Sequence, residues 1–160
     1  MTRSIHSLFM KKAIESACHG ARRLDGGPFG ACIVKGKTVL AVSHNTVLKT
    51  NDPTCHAEIN AIRAAAKRLK CFDLSGCVIY STTEPCPMCF SAIHWARIGK
   101  VFYGTNIQDV KKRGFNELTV ASSMMKRIGK SDIRIEPDFM KNECLALLKF
   151  WDKLPKKGTY

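Results

Sequence analysis

The stretch Glu84-Pro85-Cys86-Pro87-Met88-Cys89, taken with His56-Ala57-Glu58 upstream, decides how this chain is read. Reduced to chemistry, the pattern is His-x-Glu, a gap, then Pro-Cys-x-x-Cys. One imidazole and two thiols make three ligands of the kinds zinc takes. A structural zinc is usually closed by four protein ligands, whereas a catalytic zinc keeps three and leaves a position open for water. The set His56, Cys86 and Cys89 therefore implies Zn2+ as a cofactor in a catalytic centre. A purely structural zinc would need a fourth ligand, for which Cys55 is the nearest candidate. A redox Cys-x-x-Cys pair is a further alternative, but it leaves His56 and Glu58 without roles.

Working outward, each cluster opens a helix. Residues 77–82 form a β-rich run that leads into the second cluster, and a helix is expected over 87–97. Cys86 and Cys89 are three apart and share one face of its first turn. Pro87 suits the first helical position, where no N–H is needed. The positive end of the helix dipole favours the thiolates that zinc requires. His56 starts a second helix over 56–69, with Asp52 and Thr54 as cap candidates and Ile59, Ile62, Ala65 and Leu69 as its inward face. Glu58 need not ligate. It is placed to take a proton from water activated at the metal, pass it to a substrate ring nitrogen and later protonate a leaving amine.

The rest of the chain supplies the frame. A helix is expected over 7–23, ended by Asp25-Gly26-Gly27-Pro28. Residues 30–35 and 38–44 read as a hairpin turned at Lys35-Gly36-Lys37, and 50–54 as a loop. Strands at 100–104 and 132–136 and helices near 118–128 and 139–153 complete the order. Strands alternating with helices imply an α/β sheet covered on both faces, its later strands parallel. No repeat or linker divides residues 1–160, so one domain is expected.

The 160 residues suit one hydrophobic core, and 45% hydrophobic with 24% charged residues is ordinary for a globular protein. No apolar run approaches the roughly 20 residues needed to span a bilayer. No apolar signal core follows Met1-Thr2-Arg3-Ser4-Ile5-His6, so a cytoplasmic location is expected. Of the eight cysteines, Cys18, Cys32, Cys77 and Cys144 read as core packing in a reducing compartment. The net charge of +13 comes from 26 basic against 13 acidic residues. Its clusters, among them Lys111-Lys112-Arg113 and Lys156-Lys157, make RNA a candidate partner. They carry no interleaved aromatics, and the competing account is a solvated surface.

His-x-Glu followed by Pro-Cys-x-x-Cys is the signature of zinc deaminases acting on nucleobases, and the chain resembles the cytidine-deaminase-like superfamily over nearly its whole length. That resemblance implies a three-layer α/β/α fold around a mixed sheet of roughly five strands. Small cytidine deaminases have Cys where this chain has His56. Two branches with His-Ala-Glu are closer: bacterial guanine deaminases and tRNA-specific adenosine deaminases. Gly26-Gly27-Pro28-Phe29-Gly30, Asn51-Asp52-Pro53-Thr54, Ile93-His94-Trp95-Ala96-Arg97 and Gly114-Phe115-Asn116-Glu117 are similar to the guanine branch.

The activity so implied is zinc-dependent hydrolytic deamination of a purine, foremost guanine to xanthine and ammonia. In it, zinc-bound hydroxide attacks and Glu58 shuttles the proton. A nucleoside such as guanosine is a variant substrate. The resemblance implies that Asn45 bonds the base, that Phe29, Ala57 and Trp95 shape the pocket, that Glu117 accepts from the guanine edge and that Tyr160 closes the site. It also implies a homodimer with swapped C-terminal segments, while the lack of a long apolar run leaves no membrane association expected. One departure is plain: the guanine pattern has two acidic residues at 116 and 117, the second Asp, where this chain has Asn116 and Glu117. Arg97-Ile98-Gly99-Lys100, the segment 142–148 and the basic charge lean toward the tRNA branch, which converts adenosine to inosine. A zinc-stabilised RNA-binding module without catalysis is the third alternative.

Overall fold

Alternating side chains along three strands build the core. In β1 (Gly30–Lys35), Ala31 and Ile33 enter one buried cluster while Cys32 and Val34 enter another. In β3 (Cys77–Thr83), Ile79 and Tyr80 divide the same way. In β4 (Lys100–Thr105), Val101 and Tyr103 oppose Phe102. Such two-residue alternation with both faces apolar needs helices on both sides of the sheet. The computed structural model describes residues 2–155 and 158–160, so the Lys156-Lys157 pair lies outside the described residues.

The sheet has five strands in the order β2-β1-β3-β4-β5, with β2 at Thr38–His44 and β5 at Arg134–Glu136. β1 pairs antiparallel with β2 and β3, while β3–β4 and β4–β5 are parallel. The hairpin turns at Gly36, whose φ of +57° favours glycine. α1 (Arg3–Arg22) packs on β1, β2 and β3, and α7 (Lys141–Asp152) packs on β4 and touches α1. α3 (Ala57–Leu69) and α4 (Pro87–Trp95) pack together on the other face, with α6 (Ser122–Ile128) against α4. This is the α/β sheet covered on both faces that the pattern implied, and the mixed, three-layer α/β/α arrangement that the resemblance implied.

Four expectations need correction. α2 (Val47–Thr50) and α5 (Ile107–Lys111) lie where no helix was expected, because four or five residues carry no helical period. α5 does carry a capping box: Asn106 accepts from the Asp109 N–H and Asp109 accepts from the Asn106 N–H. α6 starts at Ser122 rather than near 118, because residues 115–121 run irregularly along a cavity wall. The buried face of α3 is Ala57, Glu58, Ala61 and Ala65, small residues apart from Glu58 that let the helix lie close to the sheet. Ile59, Ile62 and Leu69 are half-buried on its flank. Cys32, Cys77 and Cys144 are buried as core residues, but Cys18 is only half-buried.

Candidate active site

Two helix starts face each other across the end of β3. His56 is the N-cap of α3 and Cys86 the N-cap of α4, with Pro87 at the first helical position and Cys89 within the first turn. His56 Nδ1 lies 3.7 Å from Cys86 Sγ and 3.6 Å from Cys89 Sγ. A tetrahedral zinc bonded at about 2.3 Å to sulfur and 2.0 Å to nitrogen holds such atoms about 3.6 Å apart. The three donor atoms all lie within 4.8 Å of one another, so this group can hold a metal ion. Cys55 does not join it. Its Sγ donates to Asp52 Oδ2 at 3.2 Å and accepts from Arg63. Among the described residues no fourth protein ligand completes the set, which leaves room for water.

The thiols are already polarised. Hydrogen bonding from Cys89, aided by His56 and opposed by burial, draws the Cys86 thiol down to about 4. Hydrogen bonding with Cys86 together with burial pushes Cys89 up. A bound divalent cation would favour the thiolate form of both.

Glu58 follows from α3 geometry. Two residues into the helix, its side chain turns inward and is buried. Burial raises its pKa; its neighbour His56 opposes this, as does a hydrogen bond from Ser81. Ser81 Oγ donates to Glu58 Oε1 at 3.1 Å. Ser81 can do so because it shares a strand face with Ile79, two positions back, which packs in the cluster under α3. The sequence carries Ser81 inside a β-rich run, where nothing distinguishes it from a packing residue.

His56, Glu58 and Cys86 open into a cavity of about 260 Å³. That is below the usual range for a ligand pocket and suits one small ring. Phe29, Phe115, Asn116, Glu117 and Tyr160 line it, joined by Val47, Pro53, Thr83 and Glu84. The rings of Phe29 and Phe115 meet edge-on at 5.1 Å, and Tyr160 meets Phe115 edge-on at 5.6 Å. Tyr160 is tied down at both ends: Gly27 N–H donates to its hydroxyl at 3.2 Å and Asn116 N–H to its backbone oxygen at 3.0 Å. Burial, with the Cys86 thiolate nearby, lifts the Glu117 carboxyl to about 7.

The remaining expected residues fall in different places. Ala57 is fully buried between His56 and Glu58. Asn45 is fully buried behind the cavity rather than on its wall. Its Oδ1 accepts from Val47 N–H at 3.1 Å while its Nδ2 finds no partner among the described residues. Gly26 is glycine for this reason, since a Cβ there would strike the Asn45 amide. Trp95 does not line the cavity: it is 79% exposed. At about 100° per residue, position 95 lies half a turn from Cys86 around α4. It borders an open apolar groove with Ile59, Ile62, Phe72 and Ala92 instead. His94 bonds Ser131, His6 bonds Tyr80 and His44 bonds Asp25, so none of these imidazoles serves the metal group.

Comparison with known proteins agrees with this geometry. The family model for the cytidine and deoxycytidylate deaminase zinc-binding region matches residues 3–105. Guanine deaminase of Bacillus subtilis is 40% identical over 158 residues, covering 97% of this chain and 99% of that protein. A tRNA-specific adenosine deaminase of Buchnera aphidicola is 32% identical over 142 residues, covering 89% and 90%. Among solved structures, a guanine deaminase from Nitrosomonas europaea superposes with a TM-score of 0.83 at 25% identity, over 91% of this chain and 84% of that one. With a matched family model over most of its length and a donor set spaced for zinc, this chain belongs to the zinc-binding cytidine and deoxycytidylate deaminase family and is a hydrolytic deaminase.

Proposed function

We propose that the chain hydrolyses the exocyclic amino group of guanine, giving xanthine and ammonia. The observation that carries this reading is one small cavity at the three-ligand group, lined by His56, Cys86, the buried Glu58 and a further carboxylate, Glu117. His56, Cys86 and Cys89 would hold zinc, which when bound would acidify a water toward neutrality. Glu58 takes the proton from the attacking water and delivers it to the adjacent ring nitrogen. It then protonates the departing amine, so water adds, ammonia leaves and a carbonyl remains. Ser81 holds Glu58 in the orientation for both transfers.

Glu117 accepts N–H groups from the purine edge, its extra methylene relative to Asp giving a longer reach. Phe29 and Phe115 flank the ring, and Tyr160 closes over it. The unpartnered Nδ2 of Asn45 donates to a ring acceptor once substrate displaces the local packing. Ala57 offers a backbone N–H from the first turn of α3, where no intrahelical partner exists. The protein works in the cytoplasm as a homodimer, and Tyr160 closes either its own site or the partner's.

A second reading is deamination of adenosine in tRNA, favoured by the +13 charge and by the tRNA-specific relatives. The deciding experiment is ammonia release by the zinc-loaded protein across guanine, guanosine, adenine, adenosine, cytosine and cytidine. Release from guanine alone supports the first reading. Silence across the panel, followed by inosine formation in tRNA, replaces it with the second.

A further inference from the structure

Glu84 is a buried carboxylate that the chemistry above does not use. It sits two residues before the ligand Cys86, and its backbone N–H donates to Thr105 O at 2.7 Å. Its two side-chain oxygens go to different places. Oε2 accepts from Ile107 N–H at 3.3 Å, and Oε1 accepts from Ser122 N–H at 2.8 Å. Ser122 Oγ donates in turn to Pro85 O at 2.9 Å, doubling that link.

Ile107 is the first residue of α5 and Ser122 the first of α6. Helix-opening N–H groups lack intrahelical acceptors. The N-cap of α6 is Ala121, which has no side-chain oxygen to offer, so Glu84 serves in its place. The two N–H groups bound to Glu84 are also the two ends of one excursion of the chain, residues 107–122. That excursion carries Phe115, Asn116 and Glu117 into the cavity.

We infer that Glu84 is a positioning residue: by clamping both ends of 107–122 beside the metal-ligand loop, it sets where Glu117 stands relative to the reacting ring. This inference rests on the purine reading above and deepens it. Glu84 acts through Glu117, so its effect belongs to substrate recognition rather than proton transfer. A Gln at 84 keeps one acceptor oxygen but turns an NH2 toward the other backbone N–H, so one end of the excursion loses its anchor.

The test uses zinc-loaded wild type, Glu84→Gln, Glu117→Gln and the double variant. Amide hydrogen exchange comes first, because it does not depend on the substrate. Glu84→Gln is expected to speed exchange about tenfold at Ile107 or Ser122 and across 113–118, leaving β1 and β3 unchanged. Kinetics follow, on guanine or on whichever purine of the panel the wild type deaminates. Glu84→Gln is expected to raise KM about tenfold with a much smaller change in kcat, and to cost nothing further once Glu117 is Gln. A merely structural role would add its loss in full to that of Glu117→Gln. Full additivity, unchanged exchange across 107–122, or loss of zinc in place of the KM rise would each overturn the assignment. A wild type active only on another purine would overturn the choice of guanine and leave the Glu84 result to be read on that substrate.

Discussion

At the scale of single residues, Glu58 and Glu117 line one cavity and have different duties in the proposed reaction. There Glu58 carries protons, so Glu58→Ala should lower kcat by about 10²–10⁴ while zinc stays bound, because Glu58 is not in the metal-ligating group. Metal analysis beside turnover checks this, and retained turnover would sink the mechanism. Glu117 must be ionised to accept from a purine edge. Its carboxyl stands near 7, raised chiefly by burial. As pH falls through that value the carboxylate is lost, so kcat/KM should decline on the acid side, and Glu117→Gln should remove its share of that limb and leave the share of Glu58, whose pKa burial also raises. Its folded pKa lies above the ordinary 4.5, so the fold binds this proton more tightly than the unfolded chain. Its contribution to stability therefore declines as pH rises from the ordinary value toward 7. The grouping of His56, Cys86 and Cys89 was legible in the sequence, because few arrangements besides a metal centre call for those residue types at that spacing. Ser81 and Thr83 were not, since a hydroxyl inside a β-rich run looks like packing until the sheet face it occupies is known.

At the scale of elements, the site is as rigid as the helices that carry it. α4 brings both thiols and is anchored by Ile93, which is fully buried against the sheet. Ile93→Ala should cost about 2–5 kcal/mol in denaturant unfolding. The α4 start is held separately through Pro85, so the remaining folded protein should still bind zinc stoichiometrically. The tail reaches the same cavity through Tyr160. Removing Tyr160 takes away the hydrogen bonds from Gly27 and Asn116 and opens the cavity mouth. KM for guanine should rise, and identical kinetics in the truncated protein would remove Tyr160 from the site. The long helices and the main strands could be read from apolar period alone. α2, α5 and the irregular wall 115–121 could not, because their course is set by contacts with Glu84, Asn45 and Tyr160 rather than by local pattern.

At the scale of the molecule, charge and exposed apolar surface point to different questions. A small neutral ring releases no counterions on binding. Turnover of guanine should therefore stay flat as salt rises, while any activity on RNA should fall steeply. A salt titration of both assays separates the two readings. Trp95 and Phe72 stand 79% and 71% exposed along the α3–α4 groove. If two copies of the chain pair, as proposed above, through this face, Trp95→Glu should give a monomer by light scattering while zinc remains bound. An unchanged dimer would place the interface elsewhere. No helix among the described residues is long and apolar enough to cross a membrane.

Local chemistry settled part of this protein before any fold was known. Ligand identity, the non-ligating acid and the alternation of strands and helices are properties of short segments, and short segments determine them. The tertiary structure decided the rest. It turned Cys55 toward Asp52 and away from the metal group, put Trp95 on the outer face of α4 and hung residues 107–122 from a single buried carboxylate. Each of these depends on how whole elements meet across the sheet and its helices. A one-dimensional pattern does not encode such meetings, because the direction a side chain takes is set by the packing of those elements.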